Sequence, residues 1–76
     1  MVRGKFQVTK VAQVNWSKDA RIVSLMAVMD QSTEENRRFS KATPSGSIDM
    51  TIDNPPASDF LALGKTFYVD FTLVEE

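Results

Sequence analysis

Through much of this chain apolar residues recur at every second position, the period of a half-buried strand. The cleanest run is SIDMTID, where Ile48, Met50 and Ile52 fall on one face and Asp49, Thr51 and Asp53 on the other. KTFYVDFTLV repeats it: Phe67, Val69, Phe71 and Leu73 are predicted to face a core, and Tyr68, Asp70 and Thr72 to face away. In KFQVTKVAQVNW, Phe6, Val8, Val14 and Trp16 share a parity and Val11 takes the other. Such a break predicts a bulge, or a strand that bends from one half of a barrel to the other. NWSKDAR reads as a polar turn. ARIVSLMAVMD is apolar on both parities, with Ile22, Met26 and Val28 against Val23, Leu25, Ala27 and Met29. It suits a buried helix or a central strand; the β-branched pair Ile22–Val23 and the short length between turns favour the strand.

The rest of the chain supplies connections and one helix. QSTEEN reads as a polar loop and RRFSKA as a short polar strand. TPSG fits a type I turn with Pro44 second and Gly46 fourth. In NPPASDFLALG, Asn54 can cap a short helix, Pro55 takes its first position and Gly64 closes it. Phe60, Leu61 and Leu63 would then plug an open barrel end. The predicted order is β-β-β-β-α-β. It describes an all-β fold, a small five-stranded, strongly curved antiparallel barrel or sandwich with one short helix before the last strand. The oligonucleotide-binding five-stranded barrel usually has its helix between the third and fourth strands, so the order differs, and fold analogy alone assigns no function.

Length and composition narrow the picture. Seventy-six residues form a single domain, 1–76. A chain this short buries only about 60% of the surface its unfolded form exposes. Cysteine and histidine are both absent, so neither a disulfide nor a structural zinc site can supplement the core. Stability must come from the core or from self-association. No run approaches the roughly 18–20 apolar residues of a membrane span, and MVRGKFQVTK lacks the apolar centre of a signal peptide. A soluble protein that is not exported is expected. Net charge is −1, which argues against general nucleic-acid binding, but its distribution is uneven. Residues 1–46 hold eight cations and four acids, net +4; residues 47–76 hold one cation, Lys65, and six acids, net −5. The halves can form a basic and an acidic face, or strand pairing can mix them and cancel them.

Three segments carry a resemblance. The run from Asn36 to Gly46 fits N-x-x-F-S-x-x-T-P-S-G, Asn54 to Ala57 fits an N-P-A helix start, and Gly64 to Phe71 fits G-K-x-Y-Y-V-D-F. In these, residues 35–71 resemble a group of small, functionally uncharacterised proteins of tailed bacteriophages. Pro56 departs from the helix pattern, and Phe67 replaces the first tyrosine of the strand pattern. The resemblance spans about half the chain and implies phage origin and a shared fold. It carries no activity.

Candidate chemistry is sparse. Without His or Cys the commonest general base and the strongest nucleophile are missing. Asp49 and Asp53 share a strand face but would lie roughly 13 Å apart, too far to hold one ion. Ser45-Gly46-Ser47 can form a small anion nest but lacks the length and lysine of a phosphate loop, and a turn explains it better. No catalytic residue, cofactor or metal is expected. RRFSKATPSGS is the main binding candidate, because Arg37, Arg38 and Lys41 surround Phe39. An exposed Phe39 can stack a base while the cations meet phosphates; a buried Phe39 leaves the cations' stems lying over its edge. Trp16 and Tyr68 can complete a stacking platform, although apolar bulk favours a core-edge place for Trp16. Met26, Met29 and Met50 suit core filling or an adaptable interface. The doubly apolar strand at 22–29 is hard to bury on both faces without closure or a partner.

The expectation is a small phage-type binding protein without catalysis, associated with the virion or directed at the host. It would reside in the infected bacterial cytoplasm or the virion. A protein partner or self-association is favoured. The candidate binding surface is Arg37, Arg38, Phe39, Lys41, Trp16 and Tyr68, and the alternative is a single-stranded nucleic-acid-binding barrel using Arg37, Arg38, Phe39 and Lys41.

Overall fold

The computed structural model describes residues 2–28, 33–36, 38 and 45–75. Strands β1 (Val2–Val14), β2 (Ser17–Ala27), β3 (Ser47–Ile52) and β4 (Thr66–Phe71) form one sheet in the order β3-β2-β1-β4. Every neighbouring pair is antiparallel. Residues 34–36 and 38 are helical (α1), and a second short helix, α2 (Pro55–Phe60), leads to β4. The protein is thus mostly β, a curled half-barrel of four strands with two short helices.

β1 makes the curl. Its first residues pair with β4, from Val2↔Phe71 to Gln7↔Thr66, and its later ones pair with β2. The two ladders overlap only at Phe6 and Gln7. Just beyond, the β2 pairing steps from Val8↔Leu25 to Lys10↔Ser24, leaving Thr9 as the extra residue of a bulge. The bulge explains the broken parity. Phe6 and Val8 are buried before it, and after it Val11 takes the inner side opposite buried Val23, although Val11 itself stays 37% exposed. Gly4 also lies on the inner side, opposite Val69, and its missing side chain suits a sharply bent strand.

The ambiguous segment at 20–29 is a strand through Ala27, and Met29 lies outside the described residues. Val23 and Leu25 point into the core. β2 begins earlier than expected, at Ser17, and the turn reduces to Asn15 and Trp16. The Ser17 hydroxyl accepts from the N–H groups of Asp19 and Ala20, each at 3.3 Å, where the register jumps from Gln13↔Arg21 to Val14↔Ser17. β3 and β4 face as their alternation predicts: Ile48 and Ile52, with Phe67 and Val69, pack against the core.

α2 starts where expected and ends earlier. Asn54 is extended, and its carbonyl, not its side chain, accepts from Ala57 and Ser58 N–H at 3.0 Å. The helix closes at Leu61, not Gly64. Gly64 has φ +85° in the turn into β4. There its N–H donates to the Val8 carbonyl while Val8 N–H donates to that of Lys65, both at 2.9 Å. Only Leu61 plugs the core; Phe60 tilts over Phe67 with ring centroids 5.2 Å apart and stays exposed, as does Leu63.

The buried centre is small. Phe6, Val8, Val23 and Leu25 form one cluster, rimmed by Ala27, Ile48, Ile52, Leu61, Phe67 and Val69. Three expectations need correction. Phe71 faces inward but is 54% exposed, and Leu73 is 85% exposed, because the β1–β4 ladder reaches only to Val2↔Phe71 and β4 stands at the edge of the sheet. Met26 and Met50 do not fill the core: Met26 points outward, and Met50 lies on an edge strand. QSTEEN is not wholly loop, since Thr33 caps α1 by accepting from Asn36 N–H at 3.0 Å. The fifth strand, placed at RRFSKA, falls almost entirely outside the described residues, and its one described cation, Arg38, is helical. The turn residues Thr43 and Pro44 also lie outside them.

Candidate interaction surfaces

The half-barrel has an open side. Among the described residues β3 and β4 are the edges of the sheet, and the gap between them exposes the apolar inner face. A cleft of about 500 Å³ there is lined by Ile48 and Met50 from β3, Phe60 at the end of α2 with Leu61 just after it, and Phe67 and Phe71 from β4, with Tyr68 and Asp70 also touching it. A second hollow of about 370 Å³ continues it toward Ser45 and Gly46, where Gly4 leaves room beside Phe6 and Phe71. Alternation produces this surface. The same parity that sends Phe67 and Val69 inward sends Phe71 inward past the point where the sheet can cover it. No charged side chain projects from the inner parity of β3 or β4, whose residues there are Ile48, Met50, Ile52, Phe67, Val69 and Phe71.

The outer face is polar and cross-linked. Arg3 grips Asp70 through two hydrogen bonds, Nε to Oδ1 at 2.6 Å and Nη2 to Oδ2 at 3.1 Å. Lys5 Nζ donates to Glu35 Oε2 at 2.8 Å and to Asn36 Oδ1 at 2.6 Å, and the Tyr68 hydroxyl donates to Glu35 Oε1. α1 is thereby fastened to the outside of β1 and β4. Arg3 also lies over the Tyr68 ring, 5.2 Å from its centroid. The hydrogen bond from Lys5, then that from Tyr68, holds the Glu35 carboxyl below its ordinary value. Arg3 does the same for Asp70, and Glu35 pushes the Tyr68 phenol up. Arg3 and Lys5 belong to the basic part of the sequence and Asp70 to the acidic part, so pairing β1 with β4 mixes charge locally.

Of the residues proposed for a stacking surface, Arg37, Phe39 and Lys41 lie outside the described residues, and Arg38 is exposed on α1. Trp16 is 64% exposed at the β1–β2 turn, so the core-edge place expected for it is not what forms: the two-residue hairpin carries it past the end of the core. Tyr68 faces outward as expected, with its hydroxyl on Glu35 and Arg3 over its ring. Trp16 and Tyr68 do not make one platform. Tyr68 sits opposite Lys5, and Trp16 follows Val14, nine residues further along β1 and so roughly 30 Å of strand away.

Sequence reasoning missed Lys5 and Glu35, which tie α1 down. The signal was present in Thr33-Glu34-Glu35-Asn36, a hydroxyl cap followed by two acids in a first turn. The exposed side of the apolar alternation at 67–73 carried no signal, because inward parity does not reveal how much chain covers it. Among the described residues no group of three or more carboxylates is placed to hold a metal ion, and no helix is long and apolar enough to cross a membrane. No family model matches the chain, and no curated protein or solved structure matches it.

Proposed function

We propose that this is a small phage-type binding protein without catalysis, acting in the virion or on a host component, and that it makes its contact through the open side of the half-barrel. One observation carries the reading: an apolar inner face lies exposed between two edge strands, with Phe71 and Phe60 at the opening. Contiguous apolar surface rimmed by polar residues marks protein contact more often than solvent exposure alone would explain. Edge strands add a row of backbone groups ready for pairing. The likeness of residues 35–71 to tailed-phage proteins supports the setting. The test is capture from lysates of phage-infected bacteria on immobilised protein, comparing wild type with Phe71→Lys. The expected result is a retained protein, identified by mass spectrometry, that the variant loses while keeping its fold. Equal capture by both, from a protein that is monomeric, would refute the open side as the contact.

A second reading, single-stranded nucleic-acid binding, is favoured by one feature. Trp16 stands exposed at a turn whose neighbouring strands carry exposed Lys10 and Lys18. A gel shift with single-stranded DNA tests it. Binding that weakens by roughly 0.7 log units per log unit of salt for each phosphate contact, and that falls in Trp16→Ala and in Arg37→Glu with Arg38→Glu, would support it. No shift at low salt would end it.

A further inference from the structure

We propose that the occupant of the open side is a second copy of this chain, and that two half-barrels close into one eight-stranded antiparallel barrel. The inference rests on the reading of the open side as a contact surface and names its partner. Strand directions carry it. Along the order β3-β2-β1-β4 every neighbour is antiparallel, so the two edges, β3 and β4, run in opposite directions. A two-fold axis along the barrel preserves strand direction. It therefore sets β4 of one copy antiparallel to β3 of the partner subunit, and repeats the same pairing on the far side. Both open edges are satisfied at once. A single added peptide from another protein would leave one edge open unless it bridged both.

The edges also match in length and chemistry. β3 and β4 are each six residues long. Each presents three apolar residues inward, and none of the six is charged, so closure desolvates no ion on this face. Eight strands give an interior just wide enough to be filled by side chains, and Phe60, Phe71, Met50 and Leu61 of both copies would supply them.

The surface is large for a monomer. The chain exposes 5669 Å², whereas a compact monomer of its mass exposes about 4,700 Å². The excess, roughly 1,000 Å², is close to the ~800 Å² per partner of a standard interface. The radius of gyration is 13.9 Å and the molecule measures 40 × 38 × 18 Å; a compact chain of this length has a radius of about 11 Å.

Light scattering coupled to size-exclusion chromatography tests the proposal on the full chain, together with Met50→Lys on one edge and Phe71→Lys on the other. Wild type is expected at twice the 8.5 kDa of one chain. Each variant is expected at the single-chain mass with an unchanged far-UV circular dichroism spectrum. Should either lysine disrupt folding, Met50→Cys and Phe71→Cys give a second readout, since the chain has no cysteine of its own. A mixture of the two should be joined by a short bismaleimide into a heterodimer in preference to either homodimer. A monomeric wild type, or a dimer that survives both lysines and shows no preference for the mixed cross-link, would overturn the proposal. A monomeric wild type that captures a host protein, lost in Phe71→Lys, would leave the open side as a contact and make the second copy the wrong occupant. A monomer whose Phe71→Lys variant captures everything wild type does would end both.

Discussion

At the scale of single residues, direction and depth of burial part company. Leu25 and Phe71 both face inward, but Leu25 has sheet on either side and Phe71 stands at the opening. Leu25→Ala should cost about 2–5 kcal/mol, against a total of only about 5 kcal/mol for a small domain. The variant is expected to lose most of its β-type circular dichroism at room temperature; melting like wild type would mean the core is elsewhere. Charge sets a second expectation. Glu35 and Asp70 are held below their ordinary values by Lys5 and Arg3. Their contribution to stability is therefore complete above the unfolded values near 4.5 and 3.8 and disappears as pH falls through the lower folded values. Tyr68 shifts the other way, so its contribution is complete below about pH 10 and is lost as pH rises through its raised value. Melting temperature followed from pH 6 to pH 2 should fall, and Glu35→Gln should shrink the drop. An identical profile in the variant would remove Glu35 from the network. The facing of β3 and β4 was legible in the alternation, while the exposure of Trp16, Met50 and Phe71 was not, because it depends on which strands lie alongside.

At the scale of elements, most of the order can be read from local chemistry. The Val11 parity break announced the bulge at Thr9, and Asn54-Pro55 announced the start of α2. The end of α2 was misplaced because a glycine after a helix can serve a later turn. Gly64 serves the turn into β4 with φ +85°, and no atom lies within 4 Å of where a Cβ would stand. Gly64→Ala should therefore cost only the backbone term, roughly 1–2 kcal/mol, seen as a lowered melting temperature with an unchanged fold. A neutral substitution would show that this turn relaxes freely. α1 was readable from the Thr33 cap and its two acids, but the polar composition of QSTEEN reads equally well as loop. Nothing in a short polar segment reveals that Lys5 and Tyr68, far away in sequence, will hold it.

At the scale of the whole molecule, sequence indicated a small, strongly curved β fold and a shortage of core. It could not indicate the opening, because closure is a property of strand order, and strand order comes from which edges meet. With β3 and β4 at opposite ends of the sheet, the described residues of one chain supply four strands and two edges of opposite direction. Pairing across copies would cover both edges and the apolar cleft together. Amide hydrogen exchange, read residue by residue at millimolar concentration, addresses this pairing. Alternate amides of Ser47–Ile52 and Thr66–Phe71 point to the edges of the sheet in a single chain. If two half-barrels close, those amides should be protected to nearly the same degree as the central amides of β1 and β2. If they exchange orders of magnitude faster than the β1–β2 amides, the edges are open in solution and the closed barrel does not form.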